Sequence, residues 1–173
     1  MKRLIAAACV LALACSAVWA GDPAKDAASK PMSAQHAEMM KAEMMKCAVC
    51  KHMAAHLDEI GPIQTDVVKL NDGFAQIHNV PPAKAAALHA ACDEMSKAGE
   101  ASLSMTDEQA KTQLCPMCQG IRDAMKAGAH MSQGKTKTGD MMVLTSTDPK
   151  VQSQIVALGD KCAMMAAGPQ ATR

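Results

Sequence analysis

Aromatic side chains are almost missing from this sequence. In 173 residues there is no Tyr, one Phe (Phe74) and one Trp (Trp19). The interior must therefore be filled by aliphatic side chains, Ala and the 16 Met, a flexible residue that adapts to irregular gaps. A basic excess is also missing. Eighteen Lys and Arg face seventeen Asp and Glu, and without Lys2 and Arg3 the balance is sixteen against seventeen, a net charge of −1. Nucleic-acid binders usually show the opposite bias, so no nucleic-acid partner is expected. Beyond the N-terminus no apolar run approaches the roughly 20 residues of a spanning helix. The acidic residues are scattered, and there is no nucleophile elbow, phosphate loop or dinucleotide fingerprint. The commonest hydrolase and nucleotide-binding chemistries are thereby excluded, and the chain is expected to be non-enzymatic.

The N-terminus has a recognisable pattern. Met1-Lys2-Arg3 is a short basic stretch, Leu4 to Ala14 is uncharged and apolar, and Ala17-Val18-Trp19-Ala20 puts small residues where a signal peptidase reads. Residues 1–20 are expected to be a signal peptide cleaved after Ala20, giving a periplasmic or secreted protein that starts at Gly21. Leu13-Ala14-Cys15-Ser16 offers a second possibility, a lipid anchor at Cys15. Residues 21–32 are rich in Pro, Lys, Asp and Ala without periodicity and read as a disordered linker.

Cys9 and Cys15 belong to the leader. Six cysteines remain, and their spacing is informative. Cys47-x-x-Cys50 is followed by Cys92, and Cys115-x-x-Cys118 by Cys162, so a C-x-x-C…C unit occurs twice. The segments between match as well. Each pair opens a helical pattern, followed by a β-rich piece (Asp66 to Leu70; Met141 to Thr145), a proline start (Pro81-Pro82; Asp148-Pro149) and a second helix carrying the third cysteine. A duplicated unit accounts for this order, with repeats at 33–100 and 101–173.

In finer detail, a helix is expected from Ser33 through the first cysteine pair to Ile60, where Gly61-Pro62 stops it. Val67–Leu70 and Phe74–Val80 form a hairpin around Asn71-Asp72-Gly73, whose residues supply the turn conformations. Pro82–Ala98 and Cys118–Ala127 read as helices. A second hairpin is expected over Lys135–Lys137 and Met141–Ser146, turning at Thr138-Gly139-Asp140, and the last helix over Pro149–Ala167. The fold class is α+β: two helix–hairpin–helix repeats sharing an antiparallel sheet covered by helices. Leu88, Cys92 and Met95, and Val151, Ile155, Leu158, Cys162 and Met165, recur at helical spacing, which puts both third cysteines on apolar stripes.

Soft donors gather before the first pair. His36, Met40, Met44 and Cys47 fall on one stripe of a continuous helix, flanked by Met39, Met45 and Met53. His52 and His56 are one turn apart on another face. Amphipathic core packing explains the methionines equally well, and a solvated face the histidines. Cysteines at i and i+3 on a first helical turn share a face, and the helix N-terminus favours the thiolate, the form that binds Cu(I) or Zn.

Met45-Lys46-Cys47-Ala48-Val49-Cys50 resembles the Met-x-Cys-x-x-Cys motif of heavy-metal-associated domains, the ferredoxin-like domains of copper chaperones and metal-pumping ATPases. The helix–hairpin–helix order after it is similar, and Thr147-Asp148-Pro149 is similar to that family's strand-end Asp-Pro. The resemblance covers roughly 43–99 and, more faintly, 112–168. It implies soft-metal binding, with Cys47 and Cys50 as ligands. Combined with the donors around them, it makes the expected site Cys47 and Cys50 with Met44, Met45 or His36 as auxiliaries, and Cu(I) the expected ion ahead of Zn. Cys92, Cys115, Cys118 and Cys162 are candidates for disulfides or redox chemistry, and Cys115-Pro116-Met117-Cys118 also resembles glutaredoxin-type sites. Three functions follow: soft-metal binding or buffering, a disulfide-stabilised interaction protein of unknown partner, or a thiol–disulfide oxidoreductase.

Overall fold

The computed structural model describes residues 34–166. The expected leader and linker, with Cys15, lie outside the described residues, as does the side chain of His36. Six helices and four strands follow in the order α1 (Ala34–Met45), α2 (Cys50–Ile60), β1 (Gln64–Lys69), β2 (Gly73–Asn79), a 3₁₀ turn (Pro82–Lys84), α3 (Ala85–Ser102), α4 (Asp107–Gln113), α5 (Pro116–Lys126), β3 (His130–Lys135), β4 (Gly139–Thr145) and α6 (Pro149–Ala166). The expected α+β class is what the chain adopts: one antiparallel sheet in the order β1-β2-β4-β3, with helices packed on it. No described helix is long and apolar enough to cross a membrane.

The order helix–strand–strand–helix occurs twice, as α2-β1-β2-α3 and α5-β3-β4-α6. The two hairpins meet through β2 and β4, where Gly73 pairs with Thr145 and Asn79 with Gly139. The first residue of each central strand thus faces the last of the other. Glycine is required at both positions. A Cβ on Gly73 would lie 1.9 Å from the Leu144 carbonyl oxygen, and one on Gly139 would lie 2.0 Å from that of His78.

Each segment's second helix serves the other segment's strands. α6 packs on β1 and β2, and α3 packs on β4. Matching ion pairs mark the exchange, Lys69 with Asp160 and Lys135 with Asp93, both at 2.6 Å. Under α6 lies the core of Phe74, Leu144, Val151, Ile155, Leu158 and Cys162. A second core joins α2 to α3 through Met53, Ile60, Leu88, Ala91 and Cys92. A third, small one surrounds the cysteine pairs with Val49, Ala110 and Leu114.

Two expectations need correction, and one element was not anticipated. The helix expected from Ser33 to Ile60 is two helices broken at residues 46–49. Tertiary forces make the break: Cys47 is buried in the third core, and Ala48 donates its N–H to the Gln113 carbonyl at 2.8 Å instead of continuing a helix. The stripe from His36 to Cys47 therefore does not exist as one helical face. The second hairpin begins earlier than expected, at His130, and turns over 136–138. Its first strand is polar and contains Gly134, so it carries little β-propensity of its own. Pairing with β4 along its whole length makes it a strand. Finally, α4 stands between the segments without an apolar stripe. Its Thr106 accepts from Gln109 N–H while the Gln109 side chain accepts from Thr106 N–H, a capping box that starts a seven-residue helix.

Candidate metal centre

Two helix starts converge on one point. Cys47 precedes α2 and Cys50 is its first residue, and the chain between them already turns helically, with Lys51 N–H donating to the Cys47 carbonyl at 3.0 Å. Cys115 caps α5, Pro116 occupies the first helical position, where a missing N–H costs nothing, and Cys118 follows in the first turn. Both pairs therefore present two sulfurs from a helix N-terminus. The hydrogen bond from Ala48 to Gln113 holds the two turns side by side, and Gln119 Nε2, donating to the Leu114 carbonyl at 2.7 Å, closes the second turn on itself.

The result is a four-sulfur cluster. Cys50 Sγ lies 3.4 Å from Cys118 Sγ and 3.7 Å from Cys115 Sγ, and all four sulfurs lie within 4.8 Å of one another. Such a group could hold a soft or borderline metal ion. A tetrahedral ion with metal–sulfur bonds of about 2.3 Å sets its ligands about 3.8 Å apart, which these separations match. Four sulfurs this close leave room for one ion between them and none for a cluster of several metals and sulfides. Cys47 is buried, and the other three are half-buried.

Backbone and thiol donors already favour negative charge here. Cys115 N–H donates to Cys47 Sγ at 3.3 Å. The Cys115 thiol is driven far below its ordinary value by hydrogen bonds from the Cys118 and Cys50 thiols, and by the Cys118 backbone N–H. Cys118 and Cys50 are driven the other way, since they serve as donors to that thiolate and are partly desolvated. Crowding thus concentrates the charge on one sulfur, because neighbouring acids resist ionising together.

The structure groups the sequence candidates differently from the expectation. Cys115 and Cys118, read as a separate redox pair, join Cys47 and Cys50. The recurrence of C-x-x-C was the signal: two such pairs make a four-thiolate set whenever the fold brings them together. Met44 packs instead into the α2–α3 core. Met45 is half-exposed at a shallow cleft that it lines with Lys46, Cys47 and Lys51. Cys92 and Cys162 are buried in separate cores. Burial, with Asp140 beside it, pushes the Cys92 thiol up to about 12. Cys162 sits 3.7 Å from the Met117 sulfur, and burial pushes its thiol up too. Both behave as neutral, small hydrophobes. All six described cysteines are free thiols. Comparison with protein-family models, with curated proteins and with solved structures finds no match to this chain, so the resemblance to heavy-metal-associated domains rests on the motif residues alone.

Proposed function

We propose that this chain is an exported, non-enzymatic metal-binding protein whose Cys47, Cys50, Cys115 and Cys118 together hold one ion, with Zn(II) preferred. The carrying observation is the mutual approach of the four sulfurs to within 4.8 Å. Four sulfur donors in a tetrahedral set suit Zn, whereas a catalytic metal keeps an open position for water or substrate. A closed set of four protein ligands supports binding and stapling of the two segments instead of catalysis. Thiolates bound to an ion are also withheld from oxidation, which matters in the oxidising compartment that the leader implies.

Copper(I) buffering is the second reading. Its support is the half-exposed Met45 beside Cys47, in a chain with 16 Met. Cu(I) accepts fewer ligands drawn from such thiolates and thioethers.

Metal analysis of the chain purified under reducing conditions tests both. One equivalent of bound ion is expected, with affinity falling as pH drops because ligation requires deprotonated thiols. Replacing one cysteine from each pair, Cys50→Ser with Cys118→Ser, should weaken Zn(II) binding at least about tenfold, or about 1.4 kcal/mol. Loss of Zn(II) binding with Cu(I) binding retained by the remaining thiols would favour the copper reading. No bound metal, together with disulfides among these four residues, would sink the proposal.

A further inference from the structure

Five residues after the start of the thiol pair, α2 presents a second and chemically different set of donors. His52 and His56 are four residues apart, so both rings leave the same side of the helix. That side faces α3, where Glu94 places one carboxylate oxygen between them. Glu94 Oε2 lies 3.2 Å from Nδ1 of His52 and 3.7 Å from Nε2 of His56. Glu59, one turn beyond His56, sets its Oε2 3.9 Å from the other nitrogen of that ring, Nδ1. Glu59 is thus placed to hold the proton on Nδ1 once an ion engages Nε2.

We infer that His52, His56 and Glu94 form a second metal site, for a hydrated borderline divalent cation such as Zn(II), Ni(II) or Cu(II). Imidazole nitrogens and carboxylate oxygens bind such ions at about 2.0–2.2 Å, which sets neighbouring ligand atoms about 3–3.5 Å apart. Of the two nitrogen–oxygen separations, 3.2 Å falls in that range and 3.7 Å lies just above it. Two imidazoles and one carboxylate suit these ions and not Cu(I), which prefers sulfur. Three protein ligands leave the remaining positions to water, so this site is open where the four-thiol set is closed.

The site is looser than the thiol cluster. Among the described residues, only the four cysteines bring three or more donors within 4.8 Å of one another. The imidazoles must turn inward to share an ion. The side chains of His52, His56 and Glu94 are 30%, 26% and 47% exposed, so they have the freedom to do so. The site should therefore bind more weakly than the thiolates and exchange with solution. Each ring binds in its neutral form, and any proton it carries is released to solvent.

Zn(II) titration of the full, reduced chain tests this, followed by calorimetry and by the NMR signals of the histidine rings. Two classes of site are expected. The second should be at least about tenfold weaker than the first, and its filling should shift the His52 and His56 ring signals together. His56→Gln and Glu94→Gln should each abolish the weaker class and leave the tighter one. Cys50→Ser with Cys118→Ser should weaken the tighter class and leave the other, so the two sites stand or fall separately. A single class that neither His56→Gln nor Glu94→Gln alters would overturn the inference. So would His52 and His56 ring signals that stay fixed through two equivalents of Zn(II) in the unaltered chain, a result that needs no variant to fold.

Discussion

Phe74 and Asp140 occupy the same place in the two halves, each the second residue of a central strand beneath the other half's long helix. Their surroundings are opposite. Phe74 is 1% exposed and lies against Gly159 of α6, where an added Cβ would come within 3.0 Å of the ring. Asp140 is also buried, but α3 offers it the Cys92 thiol, with His89 and the Lys135–Asp93 ion pair nearby. The first arrangement is dry and gains its stability from apolar area. The second keeps a carboxylate out of water, and that desolvation pushes its pKa up. A shared backbone plan therefore does not imply shared energetics. The ring and the glycine are a complementary pair, as are the carboxylate and the thiol, so changing one member alters what the other faces. At the thiols the halves are alike, each contributing two sulfurs from a helix start.

The largest test of this contrast is Phe74→Ala. The residue is the only Phe, Tyr or Trp among the described residues, and its core is otherwise aliphatic. A loss of about 3–5 kcal/mol is expected, by analogy with buried Phe→Ala changes. It would be read as a lower urea midpoint at an unchanged slope. A loss under about 1 kcal/mol would mean that the ring is not the centre of the dry half.

The helix starts give a second contrast. Ala54 and Arg122 each lie four residues after the second cysteine of their pair, and both are buried. Ala54 is fully buried in α2 and makes no polar demand. Arg122 donates to the Ser102 carbonyl at 3.0 Å, the Met105 carbonyl at 2.5 Å, Asp107 Oδ1 at 3.1 Å and Asp123 Oδ1 at 3.0 Å. The guanidinium thereby fastens the loop between α3 and α4 to α5. Arg122→Leu leaves two carbonyls without their donor and is expected to cost about 2–4 kcal/mol. Thermal denaturation checks the size. Because the same loop leads into α4 and on to Cys115, Zn(II) affinity should fall with it, while Ala54→Ser should leave that affinity nearly unchanged.

Much of this was legible in the sequence, and the remainder has physical reasons. Asn71-Asp72-Gly73 marked the first hairpin because turn chemistry is local. The long helices α3 and α6 were marked by apolar periodicity and by proline at their starts. The break at 46–49 was invisible, since every residue there tolerates a helix and only the hydrogen bond from Ala48 to Gln113 and the burial of Cys47 interrupt it. For the same reason the site was read in halves. C-x-x-C is a local pattern, whereas the approach of Cys50 to Cys118 depends on how α2 and α5 meet across 68 residues. Arg122 gave no signal either, because two of its partners are backbone carbonyls, which any residue supplies, and Asp107 reaches it from another helix.

The smallest effect expected is the pH dependence of the polar half. Desolvation raises the Asp140 pKa above its ordinary value. The folded chain therefore holds that proton to higher pH than the unfolded chain does. Between the ordinary carboxylate value, about 4, and the raised one, the folded state binds more protons, so stability falls as pH rises. Asp93 and Asp107 act in the opposite sense. Hydrogen bonds, from Lys135 to Asp93 and from Lys126 and Arg122 to Asp107, lower their pKa values, so their contribution is present above the ordinary carboxylate value and disappears as pH falls below it. Both are exposed, and that contribution is small. The two effects thus occupy different windows, one above pH 4 and one below. Asp140→Asn keeps the shape and removes the proton equilibrium. Its melting temperature should lose the decline that the parent shows above pH 4, and keep the parent's fall at more acidic pH. An unchanged decline in the variant would place the burden on another group and remove the distinction between the dry and the polar half.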